Sequence, residues 1–267
     1  MFTLSNKVAV VFAASGEISS AVATSFAEQG ARVFLSARRE APLAELASKI
    51  RQAGGKAETA VVDATDEKAV KNYFDTVVKQ TNQIDIVFNG IGLRPEPSGY
   101  CQPTTEISYE QFMLPIRTML GSQFITSRAA VRKMIATNHP GTILLLTASL
   151  SRLKMPMMSG LTAACTGIEG LTRSMAAEFG RFGIRVTCLN PTAIQETQTI
   201  QETSALNAAQ LGITPEVLRA SMEQNNLLGR GPNLKNIGDF TAFLASDAGS
   251  ILNSHIVDAD YGNAAVI

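Results

Sequence analysis

The chain has no CxxC pair, no run of like charge and no apolar stretch long enough to span a bilayer. Its three cysteines, Cys101, Cys165 and Cys188, are odd in number and widely spaced, which argues against a zinc site or a dithiol motif and fits a reducing cytosol. Basic and acidic residues balance at 23 each, so a surface built for nucleic acid or anionic lipid is not expected. The opening MFTLSNK is too short and too polar for a secretory signal. No apolar run reaches the roughly 18 residues of a membrane span. These absences predict a soluble, cytoplasmic, metal-free protein whose partner is a small molecule or another protein. Histidine is scarce too: His139, ahead of Pro140 and Gly141, reads as lying on the far edge of the fold, and His255 as structural rather than catalytic.

What is present is a regular alternation. Short β-branched runs recur at VAVVF (8–12), ARVFL (31–35), AETAVV (57–62), IDIVFN (84–89), TILLLT (142–147) and IRVTCL (184–189), each nearly continuous in apolar residues, as in strands buried on both faces. Between them lie helical patterns such as SSAVATSFAEQG and APLAELASKIRQAGG, with apolar residues three and four apart and a closing glycine. Strand and helix alternating in this way predict an α/β fold with a doubly wound parallel sheet. No linker, composition break or internal repeat divides the chain, so residues 1–267 read as one domain. Residues 193–226 differ, being polar and rich in Gln, Glu and Thr, with Thr214 and Pro215 marking a helix start. That segment is a candidate lid over a substrate.

In such sheets the first strand-to-helix turn holds the phosphates of a ligand. Here the turn is FAASGEIS, Phe12 to Ser19. Together with DIVFNGIG (85–92), IEGLTRSMAAEFGRFGIRVTCLNP (168–191) and LGRGPNLKNIGDFTAFLASD (228–247), it resembles the short-chain dehydrogenase/reductase family over almost the whole chain. The resemblance implies a Rossmann-like fold and an NAD(P) site. The family's turn is TGxxxGxG, and the matching positions here are Phe12, Ala13, Glu17 and Ser19, so every motif glycine is replaced. Alanine and serine are mild changes. A Glu17 carboxylate about 5 Å from a phosphate charge costs about 3 kcal/mol at an effective dielectric near 20, whereas one turned to solvent costs little. Gly16 beside it leaves the loop some freedom.

The resemblance assigns Ser15, Gly16 and Ile18 to the turn's contacts with the cofactor, and it carries further positions over better. Arg38, after the second strand, stands where members that use NADP place arginine, and so is the candidate for a 2′-phosphate. Asp63, with Ala64 after it, matches the adenine contact. Asn89 and Gly92 fall on the first and last positions of the family's NNAG, with Gly90 and Ile91 between them. An NADP(H) site weakened by Ala13, Glu17 and Ser19 is the expectation, with no metal.

The family's catalytic Asn-Ser-Tyr-Lys set falls on Met119, Ala148, Leu161 and Cys165. In the family the tyrosine donates a proton to a carbonyl oxygen, and the lysine lowers its pKa and holds the ribose. Leucine has no proton to give, and Cys165 reads as a buried apolar thiol. A slip of one residue would put Ser149 in the serine's place or Thr118 in the asparagine's, and Pro115 should bend the helix nearby. Candidate substitutes for the donor are Tyr100 and Tyr109, in the loop after the fourth strand, which also carries Arg94, Glu96, Cys101 and Glu106. Met155, Met157 and Met158 suggest an adaptable apolar wall for a small apolar molecule. The loss of all four family residues predicts a protein that does not run the usual hydride transfer. It would be a small-molecule binding or partner subunit, or an isomerase or cyclase. The alternative is an NADPH-dependent carbonyl or enone reductase with an unorthodox proton donor. The helices near 108–137 and 157–180 are where family members pair, which implies a homo-oligomer, dimer or tetramer, or a hetero-oligomer with an intact homologue.

Overall fold

The computed structural model describes residues 3–263. Its centre is a seven-stranded, wholly parallel sheet of β1 (Val8–Phe12), β2 (Arg32–Ala37), β3 (Lys56–Val61), β4 (Ile86–Asn89), β5 (Thr142–Leu146), β6 (Arg185–Pro191) and β7 (Ile256–Ala259), in the order β3-β2-β1-β4-β5-β6-β7. The central strands are buried end to end because helices cover both faces, as the unbroken apolar runs require. The edges depart from that expectation. β3 alternates between exposed and covered positions, and β7 is only partly covered, since each has one neighbour instead of two.

On one face lie α1 (Glu17–Glu28), α2 (Glu40–Gln52) and α9 (Leu234–Ala245), packed on Val11, Leu35 and Leu144. On the other lie α3 (Glu67–Thr81), α5 (Gly121–Ala136) and α6 (Ser159–Phe179), packed on Val10, Val87 and Leu145. Capping follows local sequence: Asp66 accepts from the Lys68 and Ala69 amides to start α3, and Asn82 closes it in the left-handed conformation.

The long helix expected near 108–137 is interrupted. α4 (Tyr109–Pro115) passes into a π-helical turn, Ile116–Leu120, before α5 begins. Proline inside the helix lacks the N–H that the ladder needs, and the π turn absorbs the mismatch. Residues 193–226 fold into α7 (Gln198–Leu211) and α8 (Pro215–Gln224), the latter started by Thr214, whose hydroxyl accepts from the Val217 amide. No described helix is long and apolar enough to cross a membrane.

Candidate functional site

The sheet order reverses between β1 and β4, and the carboxyl ends of those strands open a crevice there, the position at which α/β sheets bind ligands. β1 runs into a tight turn in which Ala13 adopts a left-handed φ of 53° and its carbonyl accepts from the Gly16 amide at 2.8 Å. Alanine therefore keeps the backbone shape that glycine adopts more easily. Gly16 starts α1 with no side-chain cap, so the first-turn N–H groups of α1 have no side-chain acceptor there.

Glu17 is exposed, and its carboxylate is engaged by a neighbouring helix. Its Oε2 accepts from the Gln198 amide at 2.9 Å, so it reaches across the crevice to the start of α7. Glu196 makes a matching bond, its Oε2 accepting from the Leu234 amide at 2.7 Å where α9 begins. Both carboxylates sit at helix N-termini, where the helix dipole favours negative charge.

Ser19 is buried, and its hydroxyl has no hydrogen-bond partner. It packs against Gly90 so closely that a β-carbon at position 90 would collide with Ser19 Oγ and lie 2.8 Å from Phe88 Cε1. Ile18 packs on the core face, and Ser15 is partly exposed. Arg38 is exposed at the end of β2, near enough to Asp63 to act on its charge. Asp63 Oδ1 accepts from the Thr65 hydroxyl at 2.7 Å and amide at 2.9 Å, and these bonds, more than Arg38, hold its carboxyl below the usual range.

Two positions assigned to cofactor contact do not present polar atoms to the crevice. Ala64 is buried, and Asn89, 1 % exposed, spends its amide internally, donating to Thr126 Oγ1 at 2.9 Å and accepting from the Ile91 amide at 3.0 Å. Asn89 thus shapes the floor of the crevice. Gly92 faces open space.

Met119 and Cys165 are buried in one core cluster, with Ala148 and Leu161 packed against it. Burial pushes the Cys165 thiol up, as expected of an apolar thiol. Ser149 is buried as well, and its hydroxyl donates to the Pro191 carbonyl at 3.3 Å. Tyr109, at the start of α4, is 71 % exposed, so its hydroxyl is not held in an enclosed site.

Tyr100 is better held. Its hydroxyl accepts from Asn207 Nδ2 on α7 at 2.9 Å, while Asn207 Oδ1 accepts from the Cys101 thiol at 3.0 Å. Burial pushes the Tyr100 phenol up to about 12. Cys101 and Met157 both have left-handed φ, 65° and 60°, and are joined by a bond from the Cys101 amide to the Met157 carbonyl. Gln210 of α7 donates to the Cys101 carbonyl at 2.7 Å, and Arg94 pairs with Glu202. The loop after β4 and helix α7 are therefore tied side chain to side chain. The sequence pointed to Tyr100, but it did not reveal Asn207, whose role depends on a contact across 107 positions.

Residues 13–264 match the family profile described as enoyl-(acyl carrier protein) reductase. The uncharacterized oxidoreductase YxbG of Bacillus subtilis is 31 % identical over 262 residues, covering 98 % of this chain and 92 % of that protein. Gluconate 5-dehydrogenase of Gluconobacter oxydans is 27 % identical over 264 residues, covering 98 % and 96 %. The crystal structure of an NAD+-bound xylitol dehydrogenase superposes with a TM-score of 0.89 at 25 % identity, covering 97 % of this chain and 99 % of that one. The chain belongs to the short-chain dehydrogenase/reductase family. Its relatives are dehydrogenases and reductases, which overturns the expectation of a non-redox isomerase, cyclase or partner subunit. That expectation gave four side chains more weight than the rest of the fold.

Proposed function

We propose that the chain is an NADP(H)-dependent oxidoreductase that reduces a carbonyl or enone on an apolar small molecule, with Tyr100 as its proton donor. The observation that carries this reading is the start of α1. It has no side-chain cap, lies at the switch point of the sheet, and has its own carboxylate, Glu17, drawn aside to Gln198. Backbone N–H groups with no side-chain acceptor at a helix start fit a pyrophosphate. The exposed Arg38 fits a 2′-phosphate, Asp63 borders the adenine position, and Gly92 leaves room beside the crevice.

A bound nicotinamide supplies hydride. The chain must orient the substrate, exclude water and provide a proton. Met119, Ala148, Leu161 and Cys165 stand at the positions that the family resemblance assigns to its catalytic set. The first three have no ionisable proton, and the fourth is a buried thiol whose pKa burial raises. Ser149 already directs its proton to the Pro191 carbonyl. Tyr100 accepts from Asn207 and has the Thr203 side chain as a second hydrogen-bond partner, so its proton goes to a substrate oxygen in exchange for that neighbour. Its raised pKa keeps it protonated through the working pH range, as a donor to a developing alkoxide must be. Met155 and Met157, on the loop that meets α7, suit an apolar substrate.

The test is NADPH oxidation with a panel of apolar ketones and enones, comparing the wild type with Tyr100→Phe. The expected result is turnover in the wild type and a loss of about 10²- to 10⁴-fold in kcat in the variant, with NADPH affinity unchanged. Failure of NADPH to bind at millimolar concentration, or full activity in Tyr100→Phe, overturns the reading. The exposed groove between α5 and α6, lined by Ile116, Leu120, Phe124 and Leu171, supports self-association, which light scattering measures directly.

A further inference from the structure

A side-chain amide has two unlike ends: its oxygen only accepts and its nitrogen only donates. Asn207 is engaged at both. Its Oδ1 accepts from the Cys101 thiol at 3.0 Å, and its Nδ2 donates to Tyr100 Oη at 2.9 Å. The thiol is a donor, so it selects the oxygen and leaves the nitrogen for the phenol. A reversed amide would place its oxygen on Tyr100 and draw the phenol's proton to itself. One turn earlier on the same face of α7, Thr203 is the phenol's second hydrogen-bond partner. The Thr203 hydroxyl donates to the Ile200 carbonyl at 3.1 Å, so toward Tyr100 it accepts. One helix thus holds Oη from two sides: Asn207 donates to it, and Thr203 receives its proton at rest. Helix α7 has other fastenings, in the Thr197 cap, the Arg94–Glu202 pair and the Gln210 bond to the Cys101 carbonyl.

We propose that Asn207 is a positioning residue for the reduction: it keeps the Tyr100 proton available to the substrate and steadies Oη once that proton has gone. The proposal rests on Tyr100 being the donor, as argued above. In that step the Tyr100 O–H bond breaks as an O–H bond forms on the substrate oxygen, and the electron pair stays on Oη. An N–H group already aimed at Oη becomes a charge-assisted hydrogen bond at that moment, about twice as strong as a neutral one. Burial raises the Tyr100 pKa and the Asn207 bond works against that rise, because it favours the ionised phenol. Thr203 is a neutral acceptor, and a substrate oxygen that gains negative charge displaces it. A proton from water then restores the phenol.

Two variants of similar size separate positioning from attachment. Asn207→Asp keeps an oxygen for the Cys101 thiol and a bond to Tyr100, but the phenol now donates into the carboxylate. Asn207→Leu has neither bond. If Asn207 only fastens α7 to the loop, Asn207→Asp is the milder change; if it directs the proton, Asn207→Asp is the worse one. With NADPH and an apolar ketone, Asn207→Leu should lower kcat by about 10- to 100-fold and Asn207→Asp by more, with KM within about twofold of the wild type. The kcat of Asn207→Asp should rise as pH falls from about 8 to about 5, because the protonated carboxyl donates to Oη again, and that of Asn207→Leu should not. A readout without turnover is NMR of isotope-labelled tyrosine, with the Tyr100 signal identified by its loss in Tyr100→Phe. The ring carbon bearing the hydroxyl should move toward its phenolate position in Asn207→Asp, and thermal unfolding checks that both variants are folded. If Tyr100→Phe loses activity while Asn207→Asp matches the wild type or exceeds Asn207→Leu at about pH 8, the positioning role is wrong and the donor reading stands. An unmoved Tyr100 signal in Asn207→Asp also overturns the positioning role, whether or not a ketone is turned over. Full activity in Tyr100→Phe removes the donor reading and this inference together.

Discussion

Replacing Arg38 by alanine tests whether the end of β2 reads a 2′-phosphate. A guanidinium about 4 Å from one unit of phosphate charge gains about 4 kcal/mol at an effective dielectric of 20 and about 1 kcal/mol in bulk water. Arg38 is exposed, so the value belongs near the watery end, and the 2′-phosphate carries nearly two charges. Asp63 works against it. The Thr65 bonds keep that carboxylate ionised, and it competes for the same guanidinium. A net loss of about 1.5–2 kcal/mol follows, or about 10- to 30-fold in NADPH affinity. NADH lacks the 2′-phosphate and should bind Arg38→Ala as it binds the wild type. Calorimetric titration with both nucleotides measures the ratio, and Arg39→Ala, altering the exposed residue that precedes α2, controls for general loss of positive charge. An equal loss for both nucleotides, or no loss for either, would refute the assignment.

Tyr100 ionises near 12, so its protonation cannot limit reduction below about pH 11, and the alkaline limb of the kcat profile should be flat from pH 8 to 10. A kcat that falls with a pKa near 9 would point to another donor. Ala13→Gly should stabilise the fold, because an alanine at a φ of 53° is strained by about 1–2 kcal/mol and glycine's extra freedom in the unfolded chain offsets about half of that. Thermal unfolding should shift upward by about 1–4 °C, and an unchanged or lower Tm contradicts the strain argument. Gly90→Ala should cost about 1–3 kcal/mol through its collision with Ser19, and Ser19→Gly in the same chain should recover at least half of it. Additive effects in that denaturation cycle would mean that the two residues do not share the space.

Period and turn chemistry made the sheet legible. The apolar runs at 8–12, 84–89 and 142–147 lie on central strands, and Thr214 with Pro215 announced α8. Edges and breaks were less legible, because whether a strand has one neighbour or two is a property of the whole sheet. The alternation in β3 read as an apolar run for that reason. Pro115 signalled a bend, but its form, a π turn, depends on how α4 and α5 pack on α6. At the site, Arg38 and Asp63 could be named from register alone. The direction taken by Glu17 could not, because its partner lies 181 residues away on a segment whose composition showed only that it was polar. Tyr100 was visible as a tyrosine in a promising loop. That it accepts rather than donates toward Asn207 required the fold.

The contact between Ser19 and Gly90 changes how a missing glycine should be counted. A motif glycine at a crossing of helix and strand specifies a volume, and that volume belongs to both backbones that meet there. Here a side chain has been added on the helix and one is absent on the strand opposite, with the hydroxyl standing where a β-carbon at position 90 would fall. Letter by letter, the two positions are independent failures to match the family. Taken as a pair, they are one exchange of filling across an interface that keeps its spacing. A turn of this kind is better compared by the sum of what two facing positions contain than by the letter at either.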